Sequence, residues 1–258
     1  MRERSVTDRI RAIDQAIIDL RFAEGLRRNW EAVRAETNIQ LAYVEAASDG
    51  ARTSLEHLRL ASIGRAGATD PAEALALDYW RAHLWISQQW PPLNTRQPVR
   101  IPHRPLPVVV ASAHKFVCAR LVGETLTENA IAIPSDSASV RVFIRILSSS
   151  LPVPTRSALA IAWAYAHPFF SVASQEVARV VVRHVMVTTG FEPTGTLVWM
   201  HPFVEHQAEV KHVLQEVDWA EPQTVGRWVK TWITLMGKAV DPTLEMIRHV
   251  QAGTVPKT

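Results

Sequence analysis

Apolar residues recur at intervals of three and four along nearly the whole chain of 258 residues, a spacing typical of amphipathic α-helices. The first run places Ile10, Ile13 and Ile17 on one face, and a second run extends from about residue 28 to residue 47. Because hydrophobic residues make up 47% of the chain and charged residues 21%, a core can be buried and intrinsic disorder is excluded. The pattern predicts an all-α protein, and only residues 131–134 are compatible with a short strand or flap.

Helix boundaries are clearest where capping residues and prolines coincide. The segment Thr69-Asp70-Pro71 combines a capping side chain with proline in the first helical turn, which predicts a helix from there to about Gln89. Six prolines between residues 91 and 108 predict an extended loop. Further helices are predicted at about 109–122, 137–148, 154–166, 174–189, 203–217 and 221–250.

Basic residues are concentrated in the middle of the chain. The formal net charge is +3, but residues 79–191 contain eleven Arg or Lys and only four acidic residues. Such a segment can face an acidic protein, nucleic acid or phosphate, or can be a solvated face balanced by acidic flanks. No nucleic-acid-binding motif accompanies the charge, so a nucleic-acid partner is not favoured. We predict that residues 79–123, which also contain Trp80, Trp85 and Trp90, form a protein–protein contact, through self-association or an acidic partner, that uses Arg96, Arg100 and Arg104.

The single cysteine, Cys118, excludes disulfide frameworks and thiolate-rich zinc sites, and it fits a reducing cytoplasm. The N-terminus has mixed charge and lacks the apolar core of a signal peptide. An uncharged segment at 157–175 contains Pro168, which favours a buried helix followed by a loop over a membrane span. We therefore expect a cytoplasmic protein without a membrane segment or a metal site.

The four residues His167-Pro168-Phe169-Phe170 lie between two predicted helices, and Gly190-Phe191-Glu192-Pro193 follows the second helix. These residues and their order resemble the centre of the Fic (Fido) family, whose motif is H-P-F-x-[D/E]-G-N-G-R-x-x-R between two helices. Most members transfer AMP from ATP to a protein hydroxyl. The resemblance places His167 at the position of the general base, with Pro168 and Phe169 at the positions that orient it.

The resemblance runs from about residue 54 to residue 218 and implies a Fic-like helical core. We expect three segments: an N-terminal helical extension at 1–53, the Fic-like core at 54–220 and a C-terminal helical segment at 221–258. The inhibitory motif that precedes the core in some family members is changed, with Gly64 at the glutamate position and Leu60 at the serine position.

The catalytic motif departs from the family after its third residue. Ser171 stands where a carboxylate would bind magnesium, and a neutral hydroxyl is a poor substitute. Val172 stands at the first glycine of a turn whose backbone conformations β-branched residues resist. Both arginines that would supply positive charge for nucleotidyl transfer are replaced. The remaining replacements are Ala173, Ser174, Gln175 and Ala178.

Two basic residues lie near the lost arginines. Arg179 and Arg183 share a helical face with Gln175 at a spacing of four, and Glu176 is three residues from Arg179. The face is either a surface ion-pair stripe or a residual anion-binding site. The leading hypothesis is a Fic-like pseudoenzyme that uses no cofactor and acts through a protein partner or self-association.

Two alternatives remain open. One is an active AMP transferase that uses His167 as base, ATP and Mg²⁺ as substrate and metal, and Arg179 or Arg183 on phosphate. The other is a basic, nucleic-acid-associated helical protein in which the His-Pro-Phe sequence is a coincidence.

Overall fold

The computed structural model describes residues 6–95, 104–123 and 125–254, and within these ranges the chain is helical apart from loops. The described residues contain one 3-10 turn at Ala119–Leu121 and one isolated β-bridge, between Val122 and Leu126. The helices are α1 Val6–Arg21, α2 Gly25–Ser48, α3 Leu55–Ser62, α4 Pro71–Ser87, α5 Leu106–Val117, α6 Ser137–Leu147, α7 Val153–Ala166, α8 Ser174–Thr188, α9 Met200–Glu205, α10 Gln207–Gln215, α11 Pro222–Lys238 and α12 Val240–Gln251.

The all-α prediction is confirmed, but the short strand allowed at residues 131–134 does not form. These residues lie in turns, and Ala132 adopts the left-handed region at φ 66°. Its N–H donates to Nδ1 of His114 at 2.9 Å, so the backbone is tied to helix α5 instead of to a neighbouring strand.

The capping signal before α4 acts as predicted. The Asp70 side chain accepts a hydrogen bond from the Glu73 N–H at 2.8 Å, and Pro71 begins the helix. The Glu73 carboxylate in turn accepts from the N–H and the hydroxyl of Thr69, both at 2.7 Å. Asp70 therefore satisfies a donor that the helix leaves unpaired at its start, and Glu73 binds the residue that precedes the cap.

The single helix predicted at 221–250 is wrong, because the chain forms α11 and α12 with a break at Ala239. Pro242 explains the break: it has no N–H to donate to the Lys238 carbonyl four residues earlier, and its ring is crowded against that carbonyl. The helix predicted at 203–217 is likewise divided at His206, into α9 and α10.

Helix α8 lies at the centre of the protein. It packs against α7, α5 and α4, and its valines Val177, Val181 and Val185 are buried. On one side α2 packs against α4 and α12, and α1 packs against α11. The loop from α7 to α8 is thus held between two core helices. None of the helices in the described part of the chain combines the length and the apolar character that crossing a bilayer requires.

Candidate functional site

His167 directly follows α7 and is fixed through its backbone. Its N–H donates to the Trp163 carbonyl at 2.8 Å, and its carbonyl accepts a hydrogen bond from Ser139 Oγ at 2.6 Å. The imidazole is exposed and lies against the Trp163 ring, with ring centroids 4.0 Å apart. The position that the sequence assigns to a general base therefore carries a side chain that solvent and ligands can reach.

Two phenylalanines anchor the loop in the core. Phe169 packs against Phe143 with centroids 4.9 Å apart, and Phe170 stacks on His114 at 3.8 Å. Burial lowers the pKa of His114 to about 4, so its imidazole is neutral near pH 7 and Nδ1 can accept the Ala132 N–H. The stack is thus a neutral aromatic contact that positions the loop.

The turn that enters α8 is closed by its own side chain. Ser174 Oγ accepts hydrogen bonds from the N–H groups of Phe169, at 3.0 Å, and Phe170, at 2.8 Å. Ala173 provides the reversal with φ 64°, a conformation that L-residues rarely adopt. The chain therefore makes a compact turn without glycine, and two of its backbone donors are already bound to a serine hydroxyl.

The residues at the predicted magnesium position do not fit the ion. Ser171 is exposed and neutral, and the loop at 167–173 contains no carboxylate. Magnesium needs charged oxygen ligands in octahedral geometry. Across the residues that the structure describes, no group of three or more His, Cys, Asp or Glu side chains could hold a metal ion.

Arg179 lies on α8, and its side chain forms an ion pair with Asp49 at the end of α2. Its Nη1 and Nη2 atoms donate to the two carboxylate oxygens of Asp49 at 3.0 and 3.1 Å, and the Tyr79 hydroxyl donates to the same carboxylate at 2.7 Å. The residue is 8% exposed. The pair predicted with Glu176 is replaced by this bidentate contact from a distant part of the chain.

Arg183 is also buried, one turn further along α8. Its Nη1 donates to Asn38 Oδ1 at 2.8 Å and its Nη2 donates to the Gly195 carbonyl at 2.9 Å. The guanidinium lies over the Trp90 ring at 4.9 Å, and burial lowers its pKa to about 9. The surface stripe considered for Arg179 and Arg183 is therefore wrong, because both side chains turn into the protein and find acceptors there.

No protein-family model matches this chain, and no curated protein matches it in sequence. Among solved structures, the chain is similar to a Fic family protein from Desulfovibrio desulfuricans, with a TM-score of 0.70 and 13% sequence identity. The similarity covers 96% of this chain and 77% of that chain. This chain has a Fic-like fold.

The Fic-like fold extends beyond residues 54–218, over which the sequence resemblance runs, because the structural match covers 96% of the chain. Within it, Ala178, which the sequence resemblance places at the family's second arginine position, has no exposed surface. Arg179, the next residue, is the side chain that reaches Asp49. An arginine at position 178 would therefore point into packed side chains in this protein.

A buried polar network behind α8 was not predicted from the sequence. His83 Nε2 contacts Glu45 Oε1 at 3.1 Å, and His83 Nδ1 contacts Arg183 Nη1 at 3.1 Å. Burial lowers the pKa of His83, while the carboxylate of Glu45 opposes that change. Trp90 extends the network by donating from Nε1 to Nδ1 of His184 at 3.1 Å. Nothing in the local pattern of α2 or α4 marks these residues as buried.

A cavity of 420 Å³ lies beside Arg179 in the Fic-like fold, and we call it the tryptophan cavity because Trp199, Trp228 and Trp232 line it. Gln175, which the sequence resemblance places at the family's first arginine position, also lines the cavity with Arg179. The other lining residues are Ser48, Asp49, Ile161, Tyr165, Met200, Phe203, Gln207, Val210, Lys211 and Leu214.

The structure describes only part of the predicted interface at residues 79–123. Arg96 and Arg100 lie outside the described residues, whereas Arg104 is exposed just before α5. Trp85 stacks on Phe116 at 5.5 Å, and Trp90 is buried beneath Arg183. The exposed arginine is thus available to a partner, while Trp90 belongs to the core.

Proposed function

We propose that this chain is a cytoplasmic Fic-fold protein that does not transfer AMP and acts by binding a protein partner or a second copy of itself. The observation that carries the proposal is the turn closed by Ser174. Its hydroxyl accepts hydrogen bonds from the N–H groups of Phe169 and Phe170, so the motif loop is tied to the start of α8 and offers an anion two fewer backbone donors.

The charges around the turn support the same proposal. Nucleotidyl transfer depends on positioned positive charge, and both nearby arginines are already bound to acceptors of this chain. Freeing Arg179 would leave the Asp49 carboxylate without its bidentate partner, which is unfavourable for a partly buried pair. Ser171 offers magnesium only a neutral hydroxyl.

The exposed imidazole of His167 favours a second candidate, an active transferase with an altered site. A histidine in this position could accept a proton from a protein hydroxyl. Such an enzyme would still need positive charge on the phosphates, and Arg179 and Arg183 could supply it only by leaving their acceptors. We therefore give this function second place.

Calorimetry with ATP and Mg²⁺ tests the proposal. We expect no heat of binding in the micromolar range for the natural chain or for His167→Ala. Micromolar binding by the natural chain that disappears in His167→Ala would contradict the proposal and support the transferase.

The binding role has its own test, in which Arg96, Arg100 and Arg104 are all changed to Glu. Light scattering measures the mass of the natural chain and of the variant, and a pull-down compares their partners. If the surface binds a partner, we expect the variant to lose that partner in the pull-down. If the surface mediates self-association, we expect the assembly to have a lower mass in light scattering. An unchanged mass and unchanged partners would exclude residues 79–123 as the binding surface.

A further inference from the structure

We propose that the tryptophan cavity binds a small apolar, ring-bearing molecule with one negatively charged group, and that it does not take a nucleoside triphosphate. The inference rests on the proposed function, because it treats the cavity as a binding site and not as part of a transferase. The cavity has a volume of 420 Å³, which lies within the range of about 300–1,000 Å³ typical of small-ligand pockets.

The inner wall of the tryptophan cavity consists of aromatic rings that contact one another. Trp232 lies 5.3 Å from Trp199, 4.8 Å from Phe203 and 5.8 Å from Trp228, measured between ring centroids. None of these rings is more than 5% exposed. Such a wall favours a flat apolar molecule, because rings pack well against tilted and edge-on aromatic neighbours.

Two hydrogen-bond donors in this wall have no acceptor. The indole Nε1 atoms of Trp199 and Trp232 are buried and have no partner among the described residues. The third indole, of Trp228, donates to the Ala158 carbonyl at 2.7 Å, as buried indoles usually do. Unpaired buried donors are destabilising, so the fold leaves two polar groups without a hydrogen bond in residues that line the cavity.

The charge at the edge of the cavity favours a single anion. Asp49 and Arg179 neutralise each other there. Lys211 is exposed, lines the cavity and has no ion-pair partner in the part of the chain that the structure describes. One unpaired ammonium group suits a carboxylate or sulfonate, whereas a triphosphate with its several charges would lack partners for most of them.

The test uses anilinonaphthalene sulfonate, an aromatic dye with one sulfonate, on the full chain. We expect saturable binding of one dye per chain, with quenching of tryptophan emission. Val210→Trp, which fills the cavity from α10, should weaken binding by about tenfold or more. Lys211→Glu should weaken it severalfold, whereas Lys115→Glu, at an exposed site on α5, should not change it.

The outcomes separate this inference from the proposed function. Dye binding that is not saturable, or that Lys211→Glu and Val210→Trp both leave unchanged, would overturn the inference alone. Lys211→Glu changes an exposed residue, so the test does not depend on the folding of Val210→Trp. Displacement of the dye by micromolar ATP with Mg²⁺ would overturn the inference and the proposed function together, and no displacement supports both.

Discussion

The guanidinium of Arg179 donates two hydrogen bonds to the carboxylate of Asp49, at 3.0 and 3.1 Å, and so joins the centre of α8 to the end of α2. The two residues are 130 positions apart in the chain. Their side chains are 10% and 22% exposed, so the pair is shielded from solvent more than a surface ion pair. The contact therefore contributes to stability and also engages the first arginine that follows the motif turn in the sequence.

We expect Asp49→Ala to lower the free energy of unfolding by about 3 kcal/mol, because it leaves a buried guanidinium without its partner. Urea denaturation measures the loss. The matched control is Glu216→Ala, which removes the exposed partner of Arg227 and should cost less than about 1 kcal/mol. Equal losses in the two variants would show that the Asp49 contact is no stronger than a surface pair.

Ser174→Ala should destabilise the protein by about 1–3 kcal/mol, because the buried N–H groups of Phe169 and Phe170 lose their acceptor. Ser137→Ala, which removes an exposed hydroxyl at the start of α6, is the control and should change stability little. Thermal and urea unfolding of both variants provide the comparison. A Ser174→Ala variant as stable as the control would mean that other groups can close the turn.

His114 should make the folded protein less stable as the pH falls from 7 to 5. Burial lowers its folded-state pKa to about 4 from a value of 6.5, so between these values the unfolded chain binds a proton that the folded protein does not. This difference favours unfolding by about 2 kcal/mol at pH 5 relative to pH 7.

His114→Gln keeps an acceptor for the Ala132 N–H but removes the titration. The carboxylates titrate equally in both proteins, so the difference between their pH profiles isolates the histidine. Unfolding curves at several pH values should show a shallower loss in the variant. Parallel profiles for the two proteins would contradict the assignment of His114 as a buried neutral group.

Gly195→Ala should destabilise the protein strongly, because Gly195 has φ 69° and an added Cβ would lie 2.6 Å from Cζ3 of Trp90. Trp90 packs against Arg183, so its displacement would disturb the network behind α8. Gly226→Ala is the control: it lies inside α11 with no atom near the added Cβ, and it should stabilise by about 0.5–1 kcal/mol. Similar effects of the two changes, measured by thermal unfolding, would contradict this account.

The helices around the motif were predictable because their signals are local. Residues 154–166 and 174–189 were predicted as helices, and α7 and α8 occupy nearly the same ranges. Asp70 and Pro71 mark the start of α4 in the sequence as well as in the structure. The division at Ala239 has a local signal in Pro242, but the apolar periodicity that continues from residue 221 to residue 250 favours a single helix.

The contacts of the site were not predictable, because they join residues that are distant in the chain. Glu45, His83 and Arg183 come from three helices, and each alone resembles a residue of a solvated face. The acceptor of Arg179 is Asp49, a position that no spacing rule links to α8. The sequence shows which motif residues are lost, whereas the structure shows what the remaining polar groups bind.

Incubation of the full chain with labelled ATP, Mg²⁺ and cell lysate tests most directly the central proposal, that this protein does not transfer AMP. If the chain lacks a working nucleotide site, as proposed, labelling of proteins by the natural chain should equal that by His167→Ala. Robust labelling by the natural chain that is lost in His167→Ala would contradict the account.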